Sequence, residues 1–186
     1  DELARLTEAL AGCFNLELED DRDYSIDLDP RYLAPGFIEG LSEIGFNRVS
    51  FGVQDLDPDV QRAINRIQPA SQTEAAVAAA REAGMRSVNL DLIYGLPRQH
   101  PESFARTLES VIGLKPERIA LYASAHLPER FKAQRQISAG DLPAPGEKLA
   151  LLGTAIRELS RAGYRYIGMD HFALANDTLA RAQEAG

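Results

Sequence analysis

The chain has 186 residues, 45% of them hydrophobic, a formal net charge of −8 and a single cysteine. That length suits one domain with a real core, and the acidic balance argues against wholesale contact with nucleic-acid phosphates or an anionic membrane. One cysteine excludes an internal disulfide and any multi-cysteine metal centre built within these residues. No signal-peptide pattern or apolar run of membrane-spanning length is visible, so a cytoplasmic location is the expectation.

Taken in order, Leu3, Leu6, Leu10 and Phe14 recur at helical spacing and predict an amphipathic helix over about residues 2–14. Cys13 falls near its end and reads as a buried helical thiol. The charged run from Glu17 to Asp23 reads as a solvated loop. Tyr24 to Asp29 alternates as a strand that Pro30 ends, and a helix follows from about Pro35 to Ile44, stopped by Gly45. Arg48 to Gln54 is the next strand, then a short helix from Asp55-Leu56-Asp57-Pro58 to about Asn65. Ser71-Gln72-Thr73-Glu74 fits a capping box at the head of an Ala-rich helix reaching Gly84. Ser87 to Tyr94 is a strand broken by Gly95 and Pro97, and Pro101 opens a helix. Arg118 to Ser124 is a further strand, and residues 127–145 form a long Pro- and charge-rich excursion. A long helix then covers about Gly146 to Ala162, an extended run covers Tyr164 to Met169, and a last helix fills about Asp177 to Glu184. Alternating strands and helices predict a parallel α/β sheet.

Three successive strands each carry a small or polar face: Ser25/Asp27/Asp29, Ser50/Gly52/Gln54 and Ser87/Asn89/Asp91. Their opposite faces are apolar and suit packing under helices. An ordinary eight-stranded α/β barrel fills its interior with branched apolar side chains, so these faces predict an open barrel whose lumen takes a polar ligand. Asp27, Gln54 and Asp91 lie near the carboxyl ends of the strands, where such folds do their chemistry, and are expected to share one lumen. The competing readings are that these groups bond one another or water, and that the alternation marks a half-buried antiparallel sheet, against which the intervening helices argue.

Arg48-Val-Ser-Phe-Gly-Val-Gln54-Asp55, Asn65-Arg66 and Asn89-Leu-Asp91-Leu-Ile-Tyr-Gly-Leu-Pro97 resemble the radical S-adenosylmethionine (SAM) enzymes of haem biosynthesis. Ala125-His126-Leu127-Pro128 and Gly168-Met-Asp-His-Phe-Ala173 narrow the resemblance to the oxygen-independent coproporphyrinogen III oxidase family, over nearly the whole chain. That resemblance implies a partial (β/α)6 open TIM-like barrel of parallel strands with outer helices, over residues 1–170, with residues 171–186 starting a C-terminal extension. It implies a [4Fe–4S] cluster, two bound SAM molecules, and oxidative decarboxylation of coproporphyrinogen III to protoporphyrinogen IX by a SAM-derived radical. An unidentified electron donor, a monomeric state, and no nucleic-acid or membrane partner go with it.

By the same resemblance Asp27 stands where the family has a Glu that contacts the cluster-bound SAM, one methylene shorter here, while Gln54, Arg66, Asp91 and Ala125 match positions lining the second SAM. A guanidinium at Arg66 suits the SAM carboxylate, and Asp91 suits its amino group or ribose hydroxyls. The family's C-x3-C-x2-C cluster motif and the Gly-rich strand end that follows it are absent, and both are expected to lie ahead of Asp1, the chain being read as a piece of a longer protein. No cluster ligand is therefore expected here, and the piece alone is expected to be inactive. Asp170-His171 are candidates for a proton-donor pair near substrate or for a structural Asp–His hydrogen bond. His100 reads as a solvated loop residue and His126 as a packed loop residue. The alternatives are a haem-binding chaperone-like relative on the same barrel, against which the Gly168–Ala173 motif speaks, and a non-catalytic barrel fragment.

Overall fold

The computed structural model describes residues 2–16 and 22–186, so most of the expected loop from Glu17 to Asp23 lies outside the described residues. Six strands form one sheet: β1 (Ser25–Leu28), β2 (Arg48–Gln54), β3 (Ser87–Tyr94), β4 (Arg118–Ala123), β5 (Tyr164–Gly168) and β6 (His171–Leu174), in the spatial order β1-β2-β3-β4-β6-β5. β1 to β4 are neighbours in sequence order and all parallel. Among the described residues, seven α-helices accompany them: α1 (Glu2–Cys13), α2 (Phe37–Glu43), α3 (Pro58–Ala63), α4 (Ala70–Glu82), α5 (Pro101–Gly113), α6 (Pro145–Arg161) and α7 (Thr178–Ala185). Short 3-10 turns cover Pro30–Tyr32, Lys132–Gln136 and Ala139–Asp141.

The apolar alternate positions decide which way the sheet faces. Val49, Phe51 and Val53 of β2, Val88, Leu90 and Leu92 of β3, and Ile119 and Leu121 of β4 are buried on one side. They form one core with Ile38 and Leu41 of α2, Ala76, Val77 and Ala80 of α4, Phe104, Leu108 and Val111 of α5, and Leu151, Ala155 and Leu159 of α6. Burying side chains of that size contributes roughly 1.5–3 kcal/mol each, which fixes the strand registers, since a one-residue slip would turn every one of them to the other face. The polar positions are thereby committed to the inner face.

Three expectations need correction. The sheet is not wholly parallel: β6 runs antiparallel between β4 and β5, pairing Ala120 with His171 and Gly168 with His171. Its hairpin turns through Met169 (φ 47) and Asp170 (φ 66), both left-handed, as a type I′ turn demands. The usual Asn-Gly signal for that turn is missing, which hid the strand from the sequence. Asp170 lies in this turn, and His171–Leu174 form a strand of the same sheet. The capping box at Ser71 does not form. The helix starts at Ala70, directly after Pro69, and the buried Thr73 hydroxyl instead accepts from Gln68 Nε2 at 2.9 Å. Cys13 is exposed rather than buried, because α1 buries none of its residues.

The amino-terminal end of α7 meets side chains that start β2 and β4. Arg48 and Arg118, the first residues of β2 and β4, point inward and converge on Asp177, which caps α7 by accepting from Leu179 N at 2.8 Å. Arg118 Nε donates to both Asp177 oxygens at 3.0 and 3.1 Å, and Arg48 Nη1 lies 3.9 Å away. Both guanidinium groups also donate to Thr178 Oγ1, and Arg48 Nε donates to Asp23 at 2.5 Å. This cluster closes the amino-terminal end of the inner face.

The side chains of Asp177 and Arg48 are only 4% and 6% exposed. Asp177→Ala is therefore expected to cost about 3–5 kcal/mol, the penalty of leaving a buried ion without its partner, as read by denaturant unfolding. A loss below about 1 kcal/mol would place the cluster among surface pairs of little energetic weight. β1 is a four-residue edge strand, so the Ser25–Leu28 amides are expected to exchange hydrogen well before those of Asn89–Leu92 in the central β3, as mass spectrometry or NMR would read.

Candidate functional site

Asp27 of β1 pairs with Ser50 of β2, Ser50 with Asn89 of β3, Gly52 with Asp91, and Asp91 with Ala120 of β4. These residues thus lie side by side on the inner face. Asn89 Nδ2 donates to Asp91 Oδ1 at 2.7 Å and to Ser50 Oγ at 2.8 Å, and Ser50 Oγ donates to Asp91 Oδ2 at 3.0 Å. Burial pushes the Asp91 carboxyl above the ordinary range, and the Asp27 charge adds to this. The Ser50 and Asn89 hydrogen bonds and His171 act the other way. The mutual bonding weighed from the sequence is therefore real for β2 and β3. It is incomplete, since Asn89 Oδ1 is buried with no partner among the described residues.

At the carboxyl ends the chain is more irregular. Gln54 adopts a left-handed φ of 67 beside a bulge in the β2–β3 ladder. Its side chain folds back over Gly52, where a Cβ would lie 2.9 Å from Gln54 Nε2 and 3.3 Å from Arg66 Nη2. Gly52 is thus the gap that lets both side chains lie across the inner face. Arg66, past the end of α3, is not a free cation: Nη1 donates to Asp29 Oδ2 at 2.8 Å and Nη2 to the Gly52 carbonyl at 2.8 Å, while its buried Nε has no partner among the described residues. Asp29 also takes three hydrogen bonds from the Arg31 side chain. The Arg31 hydrogen bonds, with Arg66 behind them and against the cost of burial, hold the Asp29 carboxyl well below the usual carboxylate range.

Two anchors at this rim had no role in the sequence reading. Asp55, fully buried, accepts from Asp57 N at 2.7 Å, Gln99 Nε2 at 2.5 Å and Thr107 Oγ1 at 2.7 Å, and burial still raises its pKa. Gln99 Oε1 accepts from Gly95 N at 2.6 Å, so one amide joins the loops after β2 and β3. Lys148 of α6 passes over Gly95 (φ 82), where any Cβ would lie 2.7 Å from its Cε, and donates to the Ser124 carbonyl at 2.6 Å. Neither Gln99 nor Lys148 sits in an alternation that marks function.

Ala125, exposed, follows β4 at the same rim. Gln134 holds this stretch in place: its Nε2 donates to Ala125 O at 3.0 Å and its Oε1 accepts from Leu127 N at 2.5 Å. One lone pair of the Ala125 carbonyl is thus taken. His126 Nε2 lies 3.4 Å from the Gln134 carbonyl, a packed loop contact, and the exposed His100 caps α5.

Asp170 and His171 do not bond each other. His171 Nδ1 meets the Met169 carbonyl at 2.6 Å, which requires the proton on that nitrogen and leaves Nε2 free, and its ring stands edge-on to Tyr122 at 6.1 Å. The Asp170 carbonyl accepts from Leu121 N at 2.8 Å. His171 and Tyr122 therefore extend the inner face beyond Asp91, and Tyr122, half of the pair, was missed because β4 alone does not declare its faces. Surface clefts of about 570 Å³ between α1 and α2, about 540 Å³ between α5 and α6 and about 470 Å³ between the Pro30 turn and α4 bring none of these inward residues together.

The sequence model of the radical SAM superfamily matches residues 2–111, more than half of the chain. The chain belongs to the radical SAM superfamily. It is 54% identical over 185 residues to the oxygen-independent coproporphyrinogen III oxidase of Pseudomonas aeruginosa and 46% identical to that of Escherichia coli K12. It covers all of itself but 40% of each relative, so it spans about two fifths of their length. The solved structure of the Escherichia coli enzyme, described as a radical SAM enzyme, superposes with a TM-score of 0.92 at 46% identity, over 98% of this chain and 42% of that one. This radical SAM chain supplies one cysteine, exposed on α1, and its described residues form no group able to hold a metal ion. A cluster needs three or four thiolates at one site, so these residues do not fit one. They do fit a polar organic ligand: a carboxylate with open lone pairs at Asp91, an unpartnered buried acceptor at Asn89 and an unpartnered buried donor at Arg66 converge on one face.

A carboxyl held low in the folded state contributes stability that is fully present above the ordinary carboxylate range and is lost as pH falls through its native value. The Asp29 pair with Arg31 and Arg66 is thus expected to make wild type more stable than Asp29→Asn at neutral pH. That advantage should shrink steadily below about pH 4, as acid titration of thermal unfolding would show. A pH-independent difference would mean that Asp29 acts through shape rather than charge.

Proposed function

We propose that this chain forms the SAM-holding part of an oxygen-independent coproporphyrinogen III oxidase, the enzyme that converts two propionate side chains of coproporphyrinogen III to vinyl groups with loss of CO2. The observation that carries the reading is the convergence of Asp27, Gln54, Arg66 and Asp91 on one inner face, in a chain 54% identical to a relative of that name. Asp27, Gln54, Arg66 and Asp91 would hold SAM, which with a reduced [4Fe–4S] cluster would supply a carbon radical able to remove a propionate hydrogen; loss of CO2 to give the vinyl group would then release one electron to an acceptor.

What these residues contribute is binding and orientation. Asp27 and Asp91 offer carboxylate oxygens to an ammonium or to ribose hydroxyls, Asp27 toward the cluster-bound SAM and Asp91 toward a second one. Gln54 offers a donor and an acceptor at the rim. Arg66, pinned by Asp29 and the Gly52 carbonyl, is preoriented and keeps Nε–H and one hydrogen on each terminal nitrogen for a carboxylate. Ala125 contributes its backbone N–H, one lone pair of its carbonyl being taken by Gln134. His171, whose Nε2 is left unused beside Tyr122, would be the group of the Gly168–Ala173 motif that meets substrate, and Asp170 would add negative charge next to it. The full-length protein is expected to work as a monomer with an external one-electron donor.

The test is anaerobic turnover by the full-length protein with reconstituted cluster, reductant, SAM and coproporphyrinogen III. Stoichiometric protoporphyrinogen IX and CO2 are expected; SAM cleavage without any vinyl product would overturn the assignment. Arg66→Ala in the same protein should weaken binding of one of two SAM molecules by about 1.5–3 kcal/mol, the value of a charge-assisted contact. Unchanged SAM stoichiometry would reduce Arg66 to a structural partner of Asp29.

A further inference from the structure

The three donor hydrogens of Asn89 Nδ2 and the Ser50 hydroxyl are all committed. The amide gives one to Asp91 Oδ1 and one to Ser50 Oγ, and the hydroxyl, having accepted, gives its only one to Asp91 Oδ2. The circuit has one workable direction, because a flipped Asn89 would set its carbonyl against the carboxylate. An ionised carboxylate accepts at about four lone-pair positions, so the clamp takes one on each oxygen and leaves one on each. The remaining acceptor, Asn89 Oδ1, is buried and unpartnered among the described residues. We propose that Ser50 and Asn89 are positioning residues for Asp91, fixing its carboxylate so that one open lone pair on each oxygen, with Asn89 Oδ1 beside them, presents an all-acceptor surface to the donor groups of a ligand.

The proposal rests on the reading of Asp91 as a SAM contact, and it accounts for a conflict at this site. The carboxyl sits in partly desolvated surroundings, faced by Asp27 from β1, Tyr122 from β4 and His171 from β6, while the Arg48 and Arg118 charges at the end of the face are held by Asp177. Burial and Asp27 both favour the protonated acid, which would lose an acceptor and swing. Two donors at 2.7 and 3.0 Å, one on each oxygen, oppose both changes. An ordinary core polar network would close on itself. This one closes every donor and leaves only acceptors.

The experiment uses the full-length protein and two readouts. In ligand-free protein labelled with 13C at aspartate carboxyls, the Asp91 resonance, assigned by its absence in Asp91→Asn, should titrate at higher pH in Ser50→Ala and in Asn89→Ala than in wild type, and return toward wild type in Ser50→Thr. Radiolabelled SAM binding should weaken roughly tenfold in each alanine variant, the effect of one hydrogen bond to a charged group. The Ser50→Ala/Asp91→Asn double variant should bind no worse than Asp91→Asn alone. An unshifted Asp91 titration in both alanine variants, or losses that add in the double variant, overturns the clamp. Wild-type SAM binding by Asp91→Asn together with a shifted titration overturns instead the SAM role of Asp91 and leaves the clamp standing.

Discussion

Asp177 is the constraint on which the inner face depends. It caps α7, and its carboxylate draws together the first residues of two strands that are not neighbours, Arg48 on β2 and Arg118 on β4. β3 runs between them, carrying Asn89 and Asp91. Two inward guanidinium groups at the end of an apolar-backed sheet would otherwise be charges in want of water. With Asp177, Asp23 and Thr178 around them they become a seal.

Charge then runs in an ordered way from this closed end to the open rim. Arginines dominate the closed end, carboxylates the middle at Asp27 and Asp91, and the Asp29–Arg31–Arg66 group the rim. The middle is where charges are least compensated. Asp91 is stabilised by neutral donors rather than by a cation, so its charge is left available, whereas the Asp29 charge is spent on two arginines. The same residue type thus serves two ends: Asp29, just past the end of β1, fixes Arg66, and Asp27 within the strand stays open.

The sequence made the sheet and its polar face legible because period-two alternation survives in β1, β2 and β3: Val49, Phe51 and Val53 go under the helices, and Ser50, Gly52 and Asp91 go inward, as their chemistry requires. It did not reveal what depends on contacts between distant residues. Arg66 reads as a cation near strand ends, but its capture by Asp29 joins residues 37 apart. Gln99 and Lys148 are single polar residues in a loop and on a helix, and only the approach of Gly95 explains them. β6 was hidden because Met169-Asp170 lacks the glycine of the usual two-residue hairpin turn, and the Ala-rich α4 was given a cap it does not use because the helix already begins at Ala70, which puts Ser71 inside it. Cys13 was misjudged because an amphipathic pattern says that a face is apolar, not that something covers it.

The closing bond of the inner face, Arg48 to Thr178, spans 130 residues of chain. The neighbouring parallel pairs β1–β2, β2–β3 and β3–β4 each close over a single intervening crossover, so they can assemble in succession at modest loop-closure entropy. The seal cannot. It must wait for β4 to dock and for the antiparallel hairpin to reverse the chain and bring α7 to the first residues of β2 and β4. Closing the amino-terminal end of the inner face therefore carries a larger loop-closure cost than forming any of the parallel strand pairs behind it.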